Sequence, residues 1–408
     1  MHVHGPSSRQ RTPGKWFFLF VFLFACLLFW WLPSVLFRLV FHLPDPVEDS
    51  AIATSYLALA MFAAGYLLPG RGRAGSQLPR VLFDASAEFS YRATIVIAVP
   101  ATAIAALLWY SRVGVAYGMA DPAPTPFQAV LYTHLFFGFM YLGAAVPEKH
   151  GWRRVLTVVA LVTLPRLIDS LNGGRFFLAQ AIVPAALIAV ARGWIRFSAK
   201  RILQFAALAL IIVFLPSVTR GDEYFGREES LGFFAAGGSL RLFQDNTELN
   251  LNGRCPPLLV SMTAKAIPWG AMGVCVIDVW RLKSIPATLD RILAYNEPGS
   301  DVQGTGPGSN FLLELYLSGG MTAVVAGSAL FGFSCRRFIG WIGKRSLFAG
   351  IWAECLTRAL FAPRGNLGYV FERIPSLVLA TLLVVLVVWA GLLLRSGAAS
   401  SRAVEVQA

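Results

Sequence analysis

The feature that most constrains this chain is a succession of long apolar stretches separated by short polar links. A helix needs about 20 mostly apolar residues to cross the hydrocarbon core of a bilayer, and about ten stretches approach this length. These predicted spans cover residues 16–37, 50–70, 93–111, 127–146, 155–168, 176–191, 202–219, 311–335, 346–363 and 374–394. The sequence therefore predicts an all-α, polytopic inner-membrane bundle of about ten transmembrane helices.

Composition excludes several other classes of protein. Charged residues make up 14% of the chain and hydrophobic residues 56%, whereas soluble domains carry about 25% charged residues. The 5 cysteines form no CxxC pair, and none of the 5 histidines lies beyond residue 150, so we expect neither a metal site nor a cofactor. The net charge of +13 does not indicate nucleic acid, because the basic residues lie between apolar runs.

The distribution of Lys and Arg predicts the orientation of the bundle. Basic residues are concentrated in alternate links, and the positive-inside rule then places both termini in the cytoplasm. The predicted order is a tail (1–15), spans one to seven (16–219), one large external loop (220–310), spans eight to ten (311–395) and a second tail (396–408). Within the loop, residues 256–279 are semi-apolar, and their Lys, Asp and Pro residues favour an interfacial or re-entrant segment over an extra span.

Arginines on the predicted external side are candidates for anion binding. The positive-inside rule should deplete that side of basic residues, yet five arginines remain in its turns and at its helix ends: Arg166, Arg175, Arg220, Arg227 and Arg364. A planar guanidinium suits phosphate and carboxylate, so the group could clamp a lipid-linked pyrophosphate. Alternatively, each arginine could extend to lipid headgroups or pair with nearby acidic residues such as Asp169 and Asp222.

A glycine-rich turn precedes the eighth span. Glycines let backbone N–H groups face outward, and a helix N-terminus attracts anions. The candidate binding residues here are Gly306, Gly308, Ser309 and Asn310. A flexible connector ending in a helix cap is the alternative interpretation.

Two spans carry carboxylates. Glu314 lies one turn into the eighth span, where it could accept a proton from a sugar hydroxyl or pair with an external arginine. Glu354 and Arg358 stand four residues apart in the ninth span, and this spacing predicts an intrahelical ion pair. In the first span, Trp30 and Trp31 are interpreted as part of an interfacial aromatic belt.

Taken together, these features resemble the Wzy-type O-antigen polymerases, also called oligosaccharide repeat unit polymerases. The resemblance covers about residues 150–395 and depends on the span pattern, the single late external loop and short motifs. The motifs are Asn172-Gly173-Gly174-Arg175, Arg220-Gly221, the run from Gly304 to Tyr316 with Gly319-Gly320, and the run from Pro363 to Leu367.

The resemblance implies a GT-C-like membrane glycosyltransferase of the bacterial inner membrane. Its substrate would be an oligosaccharide on undecaprenyl pyrophosphate, without a nucleotide sugar or obligatory metal, and a chain-length regulator is a further candidate partner. Glu314 would then be the first choice for the catalytic base and Asp222 the second. An O-antigen ligase is disfavoured because the large external loop lacks a His, and a transporter because the two halves show no repeat.

The orientation can be tested with topology reporters. A reporter fused after Arg196 or Lys344 should behave as cytoplasmic, and one fused near Glu248 as external, because these positions fall on opposite sides of the predicted bundle. An external signal at Lys344 would contradict the span count.

Overall fold

A computed structural model gives the fold of this chain. It describes residues 13–32, 48–68, 78–112, 125–171, 175–195, 310–365, 367–371 and 373–405. Within these ranges the chain is helical and contains no β-strand. The helices are α1 (Pro13–Cys26), continued by a π-helical turn (Leu27–Trp31), α2 (Asp49–Leu67), α3 (Arg80–Arg112), α4 (Thr125–Ala144), α5 (Pro147–His150), α6 (Trp152–Ser170), α7 (Arg175–Ala191), α8 (Phe311–Ile342), α9 (Ala349–Phe361), α10 (Gly368–Phe371) and α11 (Ile374–Glu405).

Four of these helices, α2, α3, α8 and α11, are long and apolar enough to cross a membrane. The predicted all-helical membrane bundle is confirmed to that extent, and the number of about ten spans remains a prediction. The seventh span, the large loop and the segment 256–279 lie outside the described residues, as do Arg220, Asp222, Arg227, Gly306, Gly308 and Ser309.

Small residues allow the backbones of α2 and α8 to come into direct contact. A Cβ atom added at Gly65 would overlap the backbone of Ala329, and one added at Gly332 would overlap the carbonyl of Phe62. Lipid tails are as apolar as leucine, so association inside a bilayer depends on such close packing rather than on burial alone. The glycines therefore fix the distance between the two helices.

Aromatic rings fill the space next to this contact. Phe22 of α1 stacks on Phe62 with ring centroids 4.0 Å apart. Phe331 of α8 meets Phe62 edge-on at 5.3 Å and lies 5.5 Å from Phe311. Offset and edge-on pairs of this kind are the favoured geometries for aromatic rings. They join α1, α2 and α8 into one core, in which Trp30 is also fully buried. Trp30 therefore packs inside the protein and does not face the surroundings of the bundle.

At one end of the bundle, Arg192 joins the C-termini of α4 and α8. Just past the end of α7, its guanidinium donates to the carbonyls of Leu142, Gly143, Ala145, Ile342 and Lys344. The last carbonyls of a helix have no partner within the helix, and a cation there also offsets the helix dipole. Burial lowers the pKa of Arg192 to about 10, so the group stays charged at neutral pH.

Ion pairs extend the same end of the bundle. Asp84 of α3 contacts Lys149 at 2.9 Å and Arg345 at 2.8 Å, and Glu88 contacts Arg154 at 3.0 Å. Together with Arg192, these residues come from four links that the charge pattern assigns to one side of the membrane. In the structure these four links lie at the same end of the bundle. That this side faces the cytoplasm stays a prediction.

The helix α8 is interrupted after its second turn. Gly319 and Gly320 have non-helical backbone angles, and the φ of 62° at Gly320 is one that L side chains rarely adopt. Non-helical backbone at membrane depth is tolerated where protein or a water-filled cavity covers it. The break separates the short segment that carries Glu314 from the rest of α8.

The glycine contact between α2 and α8 can be tested on α8 itself. Gly332→Ala should destabilise the protein by about 2 kcal/mol or more, because the added methyl group forces two backbones apart. Gly340→Ala is the matched control, since its Cβ would meet no atom within 4 Å. The readout is the thermal unfolding of purified protein in detergent, and equal melting temperatures for the two variants would contradict the close packing.

Candidate functional site

Arg166 and Asp169 form a buried ion pair near the C-terminus of α6. Arg166 is 2% exposed and Asp169 4%, and the Nη1 atom of Arg166 lies 3.3 Å from an oxygen of Asp169. The i,i+3 spacing places both side chains on one face of the helix. Of the alternatives for Arg166, the pairing with Asp169 is therefore observed, while the extension to headgroups is not. A charge at this depth must be paired, and it marks a functional candidate.

Tyr132 of α4 brings a second arginine to the same place. The guanidinium carbon of Arg166 lies 4.9 Å from the centroid of the Tyr132 ring, and that of Arg373 lies 3.9 Å from it. Both distances are within the range of cation–π contacts. The ring of Tyr132 therefore contacts two guanidinium groups.

Arg373 was missed in the sequence analysis. It directly precedes α11, at the end of the same turn that carries Arg364. The charge argument that singled out Arg364 applies equally to Arg373, so the signal was present. Tyr132 had no comparable signal, because aromatic residues are common throughout the predicted spans.

A second ion pair adjoins this group. Glu354 and Arg358 of α9 are 3.1 Å apart, which confirms the predicted intrahelical pair. Glu354 is also close enough to Arg166 to interact with it electrostatically. We refer to the whole set as the arginine cluster, which comprises Tyr132, Arg166, Asp169, Glu354, Arg358 and Arg373. Its three guanidinium groups and two carboxylates lie between α4, α6, α9 and the start of α11.

The N-terminus of α8 holds the turn that leads to Arg373. Asn310 caps α8, with its side-chain oxygen accepting from the N–H of Leu313 at 2.7 Å. Glu314 is fully buried, and its Oε2 accepts from the N–H of Leu367 at 2.5 Å and of Gly368 at 3.3 Å. The carboxylate thereby occupies the N-terminus of α10, where backbone N–H groups lack helical partners.

The same turn is fixed from a second direction. The indole N–H of Trp30 donates to the carbonyl of Pro363 at 2.8 Å. Pro363 belongs to a 3-10 turn, Ala362–Arg364, in which Arg364 is exposed. Glu314 and Trp30 thus anchor the segment between Arg364 and Arg373 to α8 and α1.

The predicted site residues therefore fall into three groups. Arg166 lies in the arginine cluster, while Asn310, Glu314 and Arg364 lie around the neighbouring turn. Arg175 begins α7, and the remaining predicted residues lie outside the described residues. In the described part of the chain, His, Cys, Asp and Glu residues form no group of three that could hold a metal ion.

Comparison with known proteins supports one family. Residues 282–395 match the family model of the O-antigen polysaccharide polymerase Wzy. The resemblance to the Wzy polymerases is confirmed over this segment. No curated protein and no solved structure gives a significant match to the chain.

The Wzy match supports the activity of an O-antigen polymerase, which is glycosyltransferase-like. Proteins of this family are embedded in the membrane. The matched segment contains Glu314, Glu354, Arg358, Arg364 and Arg373. Tyr132, Arg166 and Asp169 lie before it. The arginine cluster thus joins the matched segment to the first half of the bundle.

Two roles for Glu314 can be separated by substitution. Gln retains an oxygen that can accept from Leu367 and Gly368 but removes the basicity, whereas Leu removes both. If Glu314 is the general base, the Glu314→Gln substitution should lower the polymerisation rate by about 10²-fold or more. The measurement is polymer formation by purified enzyme supplied with lipid-linked repeats, and Glu88→Gln at the opposite end of the bundle is the control.

A purely anchoring role gives a different pattern. Glu314→Gln would then polymerise at the native rate, while Glu314→Leu would lose both activity and thermal stability. That outcome would eliminate Glu314 as the base and leave Asp222 as the predicted one.

Proposed function

We propose that this protein polymerises undecaprenyl-pyrophosphate-linked oligosaccharide repeat units into O-antigen or a related surface polysaccharide. The reaction takes place at the periplasmic face of the bacterial inner membrane, and both termini lie in the cytoplasm. The enzyme is a GT-C-like glycosyltransferase that uses the lipid pyrophosphate as leaving group. The observation that carries the proposal is the buried arginine cluster at the end of the bundle opposite Arg192, together with the Wzy match next to it.

Burial explains why the arginine cluster suits a pyrophosphate. Charges interact several times more strongly in a protein interior than in water. An isolated guanidinium would be costly there, so Asp169 and Glu354 lower the cost of burying Arg166 and Arg358. The planar guanidinium groups match phosphate oxygens in geometry and in the sign of their charge.

The chemistry needs one new bond and one broken bond. A sugar hydroxyl of one lipid-linked repeat attacks the anomeric carbon of a second lipid-linked chain. The bond between that carbon and the pyrophosphate oxygen breaks, and the pyrophosphate leaves with the electron pair. Cations placed before the reaction at the position where this charge develops stabilise the transition state without further reorganisation.

The hydroxyl proton must pass to a base, and we propose a carboxylate for this role. Glu314 and Asp222 are the two candidates. The position of Glu314 supports this role, because its side chain is buried at the N-terminus of α8, next to the turn that leads to Arg373. The base role requires that its carboxylate also reach the acceptor hydroxyl while it holds Leu367 and Gly368.

Further residues complete the proposed substrate site. Arg175, Arg220, Arg227 and Arg364 would supply additional guanidinium groups from the external turns. Backbone N–H groups around Gly306, Gly308, Ser309 and Asn310 would contact the phosphates. A chain-length regulator is the proposed protein partner, and we propose no cofactor or metal.

A deletion strain tests this function. Loss of a polymerase should leave lipopolysaccharide of core plus one repeat, and the wild-type gene should restore the ladder of polymer lengths on a gel. A ligase would instead leave bare core with lipid-linked polymer accumulating. A transporter would leave bare core with lipid-linked single repeats, so either of these last two patterns would overturn the proposal.

The same strain tests the arginines. Arg373→Ala should reduce polymer formation by about 10²-fold or more, as for loss of an oxyanion-binding donor, and Arg175→Ala, Arg220→Ala and Arg364→Ala should act in the same direction. Substitution by Lys should restore part of the activity, because Lys offers a charge without the planar fork. Arg153→Ala, an exposed change at the opposite end of the bundle, is the control. A native ladder from all four Ala variants would contradict the assignment.

A further inference from the structure

The first segment of α8, residues 311–318, folds back along the rest of the helix. The ring centroids of Phe311 and Phe331 lie 5.5 Å apart, although an unbroken helix would separate two residues at this spacing by about 30 Å. A Cβ atom added at Gly327 would lie 3.3 Å from the Cγ of Leu315, which an unbroken helix would place about 18 Å away. The two parts of α8 therefore run antiparallel and form a helical hairpin.

The reversal of the hairpin contains a backbone conformation that other residues rarely adopt. Gly320 has a φ of 62° and a ψ of −154°, a combination that is essentially restricted to glycine. A Cβ added at Gly320 would meet no atom within 4 Å, and Gly319 beside it is exposed. Backbone angles at this position can therefore change without displacing neighbouring side chains, as is required of a hinge.

Glu314 ties the first segment of the hairpin to the turn that leads to Arg373. Its carboxylate accepts from the N–H of Leu367 at 2.5 Å and from the N–H of Gly368 at 3.3 Å. Because the segment carries this carboxylate, any movement of the segment about the glycines breaks both hydrogen bonds. The position of the segment and the anchoring of the turn are therefore coupled.

The candidate site is closed in this structure. Arg166, Asp169 and Glu314 are all buried. The cavity between α4, α9 and α11, which borders Glu354, has room for about one water molecule. A pyrophosphate that carries a sugar is many times larger, so a part of the site must move before such a substrate can enter.

We propose that residues 311–318 are a hinged latch, which swings about Gly319 and Gly320 to open the candidate site to substrate. This inference rests on the proposed function and adds its moving part. In the open position the turn that leads to Arg373 is released and the substrate enters. Closure renews the hydrogen bonds of Glu314 and fixes the turn before the reaction, as lids do in other enzymes.

A reversible crosslink between the arms of the hairpin tests the latch. Leu315→Cys combined with Gly327→Cys removes the leucine side chain that fills this position and leaves two Cβ atoms at a distance that suits a disulfide. Mild oxidation should form the disulfide and lower polymer formation from lipid-linked repeats by about tenfold or more, because a locked latch cannot admit substrate. A thiol reductant should restore the rate.

Three outcomes of this experiment count against the latch. A crosslinked protein that polymerises at the native rate would overturn it, and a failure of the pair to crosslink would contradict the hairpin itself. Wild-type protein, in which Cys26, Cys335 and Cys355 are buried, and the single variant Leu315→Cys are the controls. Neither should change its rate when the reductant is added, and a similar change in either would count against the latch.

Thiol labelling gives a readout that does not depend on polymerisation. Leu315 is buried, so Leu315→Cys in nanodiscs should react slowly with a membrane-impermeant maleimide, followed by mass spectrometry of the labelled peptide. Adding Gly320→Ala should increase the labelling rate several-fold, because alanine disfavours the backbone angles of the closed hairpin. Gly340→Ala is the matched control, since its Cβ would meet no atom within 4 Å. Equal labelling rates in the two backgrounds would overturn the hinge.

The latch and the proposed function fail separately in these experiments. Polymerisation that is unaffected by the crosslink would overturn the latch and leave the polymerase intact. Labelling that increases with Gly320→Ala, in a protein that forms no polymer, would leave the hinge intact and overturn the polymerase.

Discussion

The absence of water in the hydrocarbon core is the constraint on which the rest of this structure depends. A charge or a free backbone group in that environment costs several kcal/mol unless the protein supplies a partner. The protein meets this constraint differently at its two ends. At one end, Arg192 donates hydrogen bonds to carbonyls at the ends of helices and thereby joins these helices. Arg166 and Arg358 pair with carboxylates, which lowers the cost of holding guanidinium groups in the protein interior.

Several contacts hold the turn between Pro363 and Arg373 in place at the candidate site. Arg373 lies in the turn before α11, and turns between helices are ordinarily mobile. Glu314 and Trp30 hold two points of this turn, at Leu367 and Pro363, and Tyr132 meets Arg373 itself. Preorganised cations stabilise developing charge without moving during the reaction. The anchors therefore contribute to the proposed catalysis even where they touch no substrate.

Sequence reasoning located the helices well because span length and apolar content are local properties. The predicted spans 50–70, 127–146 and 176–191 coincide within a few residues with α2, α4 and α7. The pair Glu354–Arg358 was predictable for the same reason, since helical periodicity alone brings the two residues together. The partners of Trp30, Glu314 and Tyr132 were not predictable, because they lie far away in the sequence. Arg166 was identified from charge, but its burial depends on the packing of α4, α6 and α9.

The arginine cluster is divided between two stretches of the chain. Tyr132, Arg166 and Asp169 come from the first half, whereas Glu354, Arg358 and Arg373 come from the segment that matches the Wzy family. The first stretch contributes the Arg166–Asp169 pair and the Tyr132 ring, and the second contributes the Glu354–Arg358 pair and Arg373. Exchanging the matched segment for that of a related protein would therefore keep the Glu354–Arg358 pair but separate Arg373 from the ring of Tyr132. The first half of the recipient would have to supply an aromatic face for Arg373.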